Sequence, residues 1–282
     1  ITTSFTFIST AETIAFLQAK PVFVDIDEST FNIDVTKIES AITDKTKVII
    51  PVSLYGQPAD MNEINAIAKK HNLKVIIDGA QSFGATYKGK ADSSLGDIST
   101  TSFFPSKPFG CYGDGGAVFT NNDEYAEKIK MMRVHGQNKR YHHKYIGMGG
   151  RLDTLQAAVL LAKLPHYAKE IIGRQAAAQK YTQALEATVQ TPQVKADRTS
   201  VWAQYTVRVK NRDQIQETLK QASIPTAVHY PMPLHFQECF KYLDYKQGDF
   251  PVSELLSKQV LSLPMNSFIT EDEVRVISAA IV

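Results

Sequence analysis

Four side chains in the first half of the sequence have the types and spacing to do chemistry together. Asp78 closes the apolar run Lys74–Asp78 (KVIID), and Gln81 follows it shortly. Ser102 ends a later β-rich run, and Lys107 lies beyond it in the loop Phe103-Phe104-Pro105-Ser106-Lys107-Pro108. Each has a bland reading when taken alone. A strand-terminal Asp is most often a cap or turn residue, a loop Lys is usually a solvated charge, and a lone Ser says little. Convergence would change that. In open parallel α/β sheets, loops leaving the carboxyl ends of different strands meet at one crevice.

An amine, a carboxylate and hydroxyls gathered there meet the needs of pyridoxal phosphate (PLP). The amine must be partly desolvated, or near other cations, to act as a nucleophile toward the cofactor aldehyde. A carboxylate must keep the pyridine nitrogen protonated so that the ring can accept electrons. Hydroxyls and backbone N–H groups must neutralise the phosphate. A flat aromatic surface should cover one ring face.

The surrounding pattern supplies such a scaffold. Pro21–Asp25, Lys47–Val52, Lys74–Asp78, Ile98–Phe104 and Ala117–Thr120 read as strands, with amphipathic helices predicted over Asp60–His71 and Asp123–Val134. This alternation predicts βαβ units and a mainly parallel sheet flanked by helices. A helix is expected over Arg151–Leu164, ended by Pro165, followed by a long helix over Tyr167–Thr188. Ala203–Val209, a helix over Asp213–Ala222 and Ala227–Tyr230 suggest a smaller α+β domain. The expected division is therefore a large α/β domain over 1–165 and a small domain over 166–282.

At 282 residues, 43% hydrophobic and with a net charge of +2, the chain can bury a sizeable core and has no field that recruits nucleic acid or a membrane. No apolar stretch nears the roughly 20 residues of a bilayer span. Cys111 and Cys239 fit neither a disulfide framework nor a zinc site, and suggest reduced thiols in a cytoplasmic protein. His135, His142 and His143 lack metal-ligand spacing, so no metal is expected. The sequence starts without Met or a signal-peptide pattern, as though within a domain.

Several ordered runs sharpen the reading. Ile76–Ala85 (IIDGAQSFGA), Thr101–Ala117 (TSFFPSKPFGCYGDGGA) and Arg151–Ala158 (RLDTLQAA) resemble the DegT/StrS nucleotide-sugar aminotransferases, which are fold-type I PLP enzymes. Ser4–Thr10, Pro21–Asp27, Val52–Met61 and Val134–Gln137 extend the resemblance over nearly the whole chain. It implies a fold-type I α/β architecture and a homodimer with shared active sites. It assigns Lys107 as the lysine that binds the cofactor and later moves protons. Asp78 is assigned to the pyridine nitrogen, Gln81 to the ring hydroxyl, Ser102 to the phosphate and Phe7 to the ring face.

The stretches Pro225–Leu234 (PTAVHYPMPL) and Leu261–Met265 (LSLPM) are similar to a branch that aminates the 3-keto group of UDP-2-acetamido-2-deoxy-3-oxoglucuronate, with L-glutamate as donor. A uronate calls for a fixed cation, and Arg151, reaching across a dimer interface, is the candidate; a surface ion pair is the competing reading. His229 and Tyr230 are candidates for sugar or nucleotide contact, against a purely structural turn.

Two departures temper the resemblance. Where the family has Asn in Gly-x-Asn-x-Arg, this chain has Gly149, so a phosphate donor is lost. The family's Gly-Thr phosphate turn lies in a segment that precedes Ile1. A non-catalytic, regulatory relative and an aminotransferase for another keto-sugar therefore stand as alternatives. A PLP-dependent sugar dehydratase, which carries His at the lysine position, is disfavoured by Lys107.

Overall fold

The structure is a computed structural model and describes residues 1–281. Its first half is built on a sheet whose central order is β3 (Val48–Ile49), β4 (Lys74–Asp78), β7 (Ile98–Ser102), β8 (Gly116–Phe119). The first three are parallel, whereas β8 runs antiparallel to β7 with Gly116 opposite Ser102. At the other edge, β1 (Thr2–Thr3) pairs in parallel with β2 (Phe23–Val24) and bridges to Ile50, so the same layer continues. Mainly parallel is what the βαβ rhythm predicts; the antiparallel edge is the finding that matters. The chain leaves β7 at Ser102 and returns at Gly116 in one excursion over the sheet's carboxyl end, and that excursion carries Lys107.

Helices cover the sheet because their apolar residues recur at helical spacing. Met61, Ile64 and Ala68 of α3 (Met61–Lys70) are buried against Val75 and Ile77 of β4. The other first-half elements are α1 (Ser9–Phe16), α2 (Val35–Ile38), α4 (Asp123–Met132), the hairpin β5 (Thr86–Tyr87) with β6 (Lys90–Ala91), and the exposed hairpin β9 (Gln137–Lys139) with β10 (His142–His143). Asn122 caps α4 by accepting from Tyr125 N at 3.0 Å.

The expected break at Pro165 does not occur. One helix, α5, runs unbroken over Thr154–Leu185 with Pro165 inside it. An interior proline costs about 3 kcal/mol. Here both flanks are held: Leu160 and Tyr167 are buried with Phe103 and Phe109, and Lys163 Nζ donates to the Gly110 carbonyl at 2.5 Å. Burying two large side chains contributes roughly 1.5–3 kcal/mol each, enough to offset the kink penalty. Position 165 therefore lies within a helix that spans both parts of the chain.

Beyond α5, β11 (Tyr205–Arg208) pairs antiparallel with β12 (Val260–Leu263). The later turns of α5, α6 (Arg212–Gln221) and α8 (Glu271–Ala279) pack on this pair through Tyr181, Leu185, Leu219, Val274 and Ile277. The segment between then turns back: Leu234, Phe240 and Phe250 bury against Ala11 and Phe23. The N-terminus of α7 (Pro251–Leu256) is held by Asp25, whose carboxylate accepts from Ser253 N at 2.9 Å, Ser253 Oγ at 2.6 Å and Val252 N at 2.9 Å. That return brings His229 and Tyr230 over the sheet.

Candidate active site

Asp78 ends β4 at the sheet's carboxyl edge, where its two oxygens find different partners. Oδ2 accepts from Thr10 Oγ1 at 2.7 Å, and Oδ1 accepts from Ala80 N at 3.2 Å. Thr10 in turn contacts Thr6 Oγ1 at 3.2 Å. Each carboxylate oxygen can accept twice, so one hydrogen bond apiece orients the group and leaves it able to take a further proton donor. The turn after Asp78 is tight. A methyl group on Gly79 would lie 2.8 Å from the Thr100 carbonyl, so only glycine lets β4 turn this close to β7.

Gln81, three residues after Asp78, is buried. Its Oε1 accepts from Tyr55 N at 2.6 Å, and its Nε2 donates to the Tyr230 hydroxyl at 3.2 Å. Tyr55 reaches it from a backbone with φ +56, unusual for an aromatic residue and of the kind held in place by surrounding structure. The Tyr55 hydroxyl donates to the His229 carbonyl. Burial, and then the neighbouring phenol, push the Tyr55 pKa well above its ordinary value; Tyr230 is also pushed up, by burial and then by the Asp78 charge. Both phenols therefore stay neutral donors at physiological pH.

Lys107 sits in the excursion between β7 and β8. Its backbone N–H donates to Phe104 O at 2.9 Å, closing a turn, while Cys111 N and Sγ both bond the Phe103 carbonyl. Gly110 folds against the Phe104 and Pro105 carbonyls, 2.6 and 2.8 Å from where a Cβ would stand. Burial lowers the Lys107 pKa below the ordinary lysine value, and the Asp78 carboxylate opposes the shift. His229 is also lowered, by burial first and then by the Lys107 charge. Amine, carboxylate and imidazole thus share one electrostatic environment. A partly desolvated lysine is a better nucleophile than a hydrated one.

The other candidates divide. Phe7 is 56% exposed, and its ring stands 6.2 Å from Tyr230 and tilted by 39° to it, leaving aromatic surface beside the phenol to which Gln81 donates. Ser102 accepts from Phe104 N at 3.2 Å and keeps its O–H free to donate. His229 Nδ1 lies 2.8 Å from Ser262 Oγ. Arg151 is exposed just before α5 and makes no ion pair or hydrogen bond among the described residues. Within the chain, then, Asp78, Gln81, Lys107, His229 and Tyr230 come together, Phe7 stands against Tyr230, and Arg151 joins no interaction with them among the described residues.

Sequence reasoning missed Thr10 and Tyr55. Neither forms a motif with the residue it supports: Thr10 is buried on α1 and Tyr55 lies in the loop after β3, and only the parallel stacking of strand ends unites them. Thr10→Val removes a donor to an ionised acceptor while keeping the shape. Such bonds are worth about 1.5–3 kcal/mol, so PLP affinity should fall about tenfold or more in a titration of the apoprotein. Unchanged affinity would dismiss Thr10 as a support.

The donor set fits PLP: an acid able to hold a ring nitrogen, a desolvated amine, an aromatic face and a free hydroxyl. Comparison with known proteins decides the lineage. Residues 1–282 match the DegT/DnrJ/EryC1/StrS aminotransferase family. The chain belongs to that family. It is 51% identical, over all of its length and 78% of the relative's, to a UDP-2-acetamido-2-deoxy-3-oxo-D-glucuronate aminotransferase of Pseudomonas aeruginosa. It is 50% identical, over 97% of its length and 74% of the relative's, to a pleiotropic regulatory protein of Geobacillus stearothermophilus. An aminotransferase of this family from Brucella abortus superposes with a TM-score of 0.96 at 40% identity, covering 99% of this chain and 77% of that one. The architecture is that of the family's aminotransferases, and the chain is a PLP-dependent aminotransferase of nucleotide-linked keto-sugars.

Proposed function

We propose that this aminotransferase moves the amino group of L-glutamate onto C3 of UDP-2-acetamido-2-deoxy-3-oxo-glucuronate, as a cytoplasmic homodimer serving surface-polysaccharide synthesis. The observation that carries the choice of sugar is the 51% identity, over the full chain, to the Pseudomonas aeruginosa aminotransferase named for it. PLP, when bound, supplies the electron sink. Lys107 would hold the cofactor through its amine and, when that amine is free, would move a proton at Cα of glutamate and later at the sugar carbon that receives nitrogen. Asp78, fixed by Thr10 and Ala80, would hold the proton on the pyridine nitrogen. Gln81 and Ser102 would hold the ring hydroxyl and phosphate, Phe7 would cover the ring, and His229 and Tyr230 would face the sugar. Two thiols that form no disulfide, Cys111 and Cys239, suit a reducing compartment.

The surface around Arg151 suits a second subunit. Tyr112 (79% exposed), Ile146 (94%), Met148 (71%) and Leu155 (74%) present apolar area that a lone protomer leaves in water. Arg133, Lys139, Arg140, Lys144 and Arg151 are exposed beside them, and the sequence has no acid between Glu127 and Asp153. Such a strip suits a nucleoside diphosphate and a uronate carboxylate.

A substrate panel tests this. Arg151→Ala should raise KM for the uronate by about 100-fold, the scale of a lost bidentate charge pair. Turnover of UDP-N-acetyl-3-oxo-glucosamine, which lacks the carboxylate, should change little. A 43% identical relative from Acidithiobacillus ferrooxidans is a 3-aminotransferase for that sugar. Wild-type preference for it over the uronate, or equal losses on both, would refute the assignment. The regulatory reading suggested by the Geobacillus stearothermophilus relative is answered by the same panel, since it requires no turnover at all.

A further inference from the structure

The turn that follows Asp78 rests on a buried polar cluster that the chemistry above leaves unused. Asp92 stands at the end of the β5–β6 hairpin, 2% exposed, with Ser82 (1%), Ser53 (0%) and Ser99 (1%) buried in the same region. Ser82 Oγ donates to Asp92 Oδ2 at 2.5 Å. The backbone then ties this pair to the site. Ser82 N donates to Gly79 O at 3.1 Å, Ser53 N donates to Asp78 O at 3.0 Å, and Asp92 N donates to Ala85 O at 3.0 Å. A Cβ on Gly79 would stand 3.2 Å from Ser82 Oγ and 3.6 Å from Ser99 Oγ, so the hydroxyls press directly on the backbone between Asp78 and Gln81.

A carboxyl group here is expensive for stability alone. Asp92 Oδ1 and the hydroxyls of Ser53 and Ser99 have no hydrogen-bond partner among the described residues. Each unsatisfied buried group costs about 1–3 kcal/mol, and an apolar filling of the same volume would avoid that. Burial raises the Asp92 pKa, while the hydrogen bond from Ser82 and the Arg198 charge act against the rise. What the acid provides is a short, directional bond to one of the hydroxyls that lie under the turn, beside Ser99 Oγ and the Thr101 hydroxyl that donates to Gly79 O at 3.0 Å. We propose that Asp92 is a positioning residue of the cofactor site: through Ser82 it fixes the turn that presents the Asp78 carboxylate and the Gln81 amide to the cofactor ring. The proposal rests on the reading that Asp78 and Gln81 hold the cofactor.

The test uses the full chain as apoprotein, with PLP affinity from a fluorescence titration and Tm from thermal melting. Asp92→Ala and Ser82→Ala should each raise the Kd for PLP by at least about tenfold, and the double variant should be no worse than the poorer single one, because both remove the same bond. Asp92→Asn still accepts from Ser82 and can donate to the Ser53 or Ser99 hydroxyl, so it should stay within about threefold of wild type. A lowered Tm with Kd unchanged in Asp92→Ala would show a structural role only and overturn the proposal; so would additive losses, or an Asn variant as poor as the Ala one. Should Asp92→Ala fail to fold, Ser82→Ala and Asp92→Asn decide the matter alone. Asp78→Asn is the control: wild-type PLP affinity in that variant would sink the cofactor reading itself, whereas weakened affinity there with no change at Asp92 sinks only this inference.

Discussion

Lys107→Ala should lose transamination by at least about 10⁴-fold, with the protein still folded. The variant loses both the cofactor's covalent anchor and the group that moves protons in both halves of the reaction, each a large effect. The fold should tolerate the change because the Lys107 amine makes no hydrogen bond among the described residues, and its burial favours the uncharged form. Lys107→Arg should be as inactive as the alanine variant, since a guanidinium keeps its proton and cannot attack an aldehyde. Steady-state assay with glutamate and the keto-sugar, beside a thermal melt, checks both halves of the prediction. Activity within tenfold of wild type would remove Lys107 from the mechanism.

Asp78→Asn should cost about 10²–10³ in kcat, the scale of losing one preorganised electrostatic contact. The variant is chosen because it preserves shape: an amide oxygen can still accept from Thr10 Oγ1 or from Ala80 N. What disappears is the negative charge that keeps a pyridine nitrogen protonated. The loss should therefore fall on kcat for both half-reactions, with a smaller change in KM for either substrate. An Asn variant retaining more than a tenth of wild-type kcat would mean that the ring nitrogen is held by something else.

The sequence made some of this site visible and hid the rest for physical reasons. Asp78 and Ser102 were legible because each ends a run of β-forming residues, and strand ends in a parallel sheet face the ligand crevice. Lys107 was legible through its motif, but the antiparallel return to β8 that forms its loop was not, since an edge strand carries the same pattern in either direction. Thr10 was invisible for a different reason. Its value lies in one hydrogen bond to a residue far along the chain, and an isolated threonine on a short helix announces nothing of the kind. The break expected at Pro165 failed because local propensity was overridden by packing: Leu160, Tyr167 and Lys163 hold the helix on both sides of the proline. The Asp92 cluster shows the same limit, for its serines come from three separate elements.

The most direct measurement is chemical trapping. The holoenzyme would be reduced with borohydride, digested, and mapped by peptide mass spectrometry for a lysine carrying the reduced cofactor. The label is expected at Lys107, in the tryptic peptide that runs from Ala91 to Lys128, and on no other lysine. A label on a different lysine, or a fully PLP-saturated protein with none at all, would contradict it.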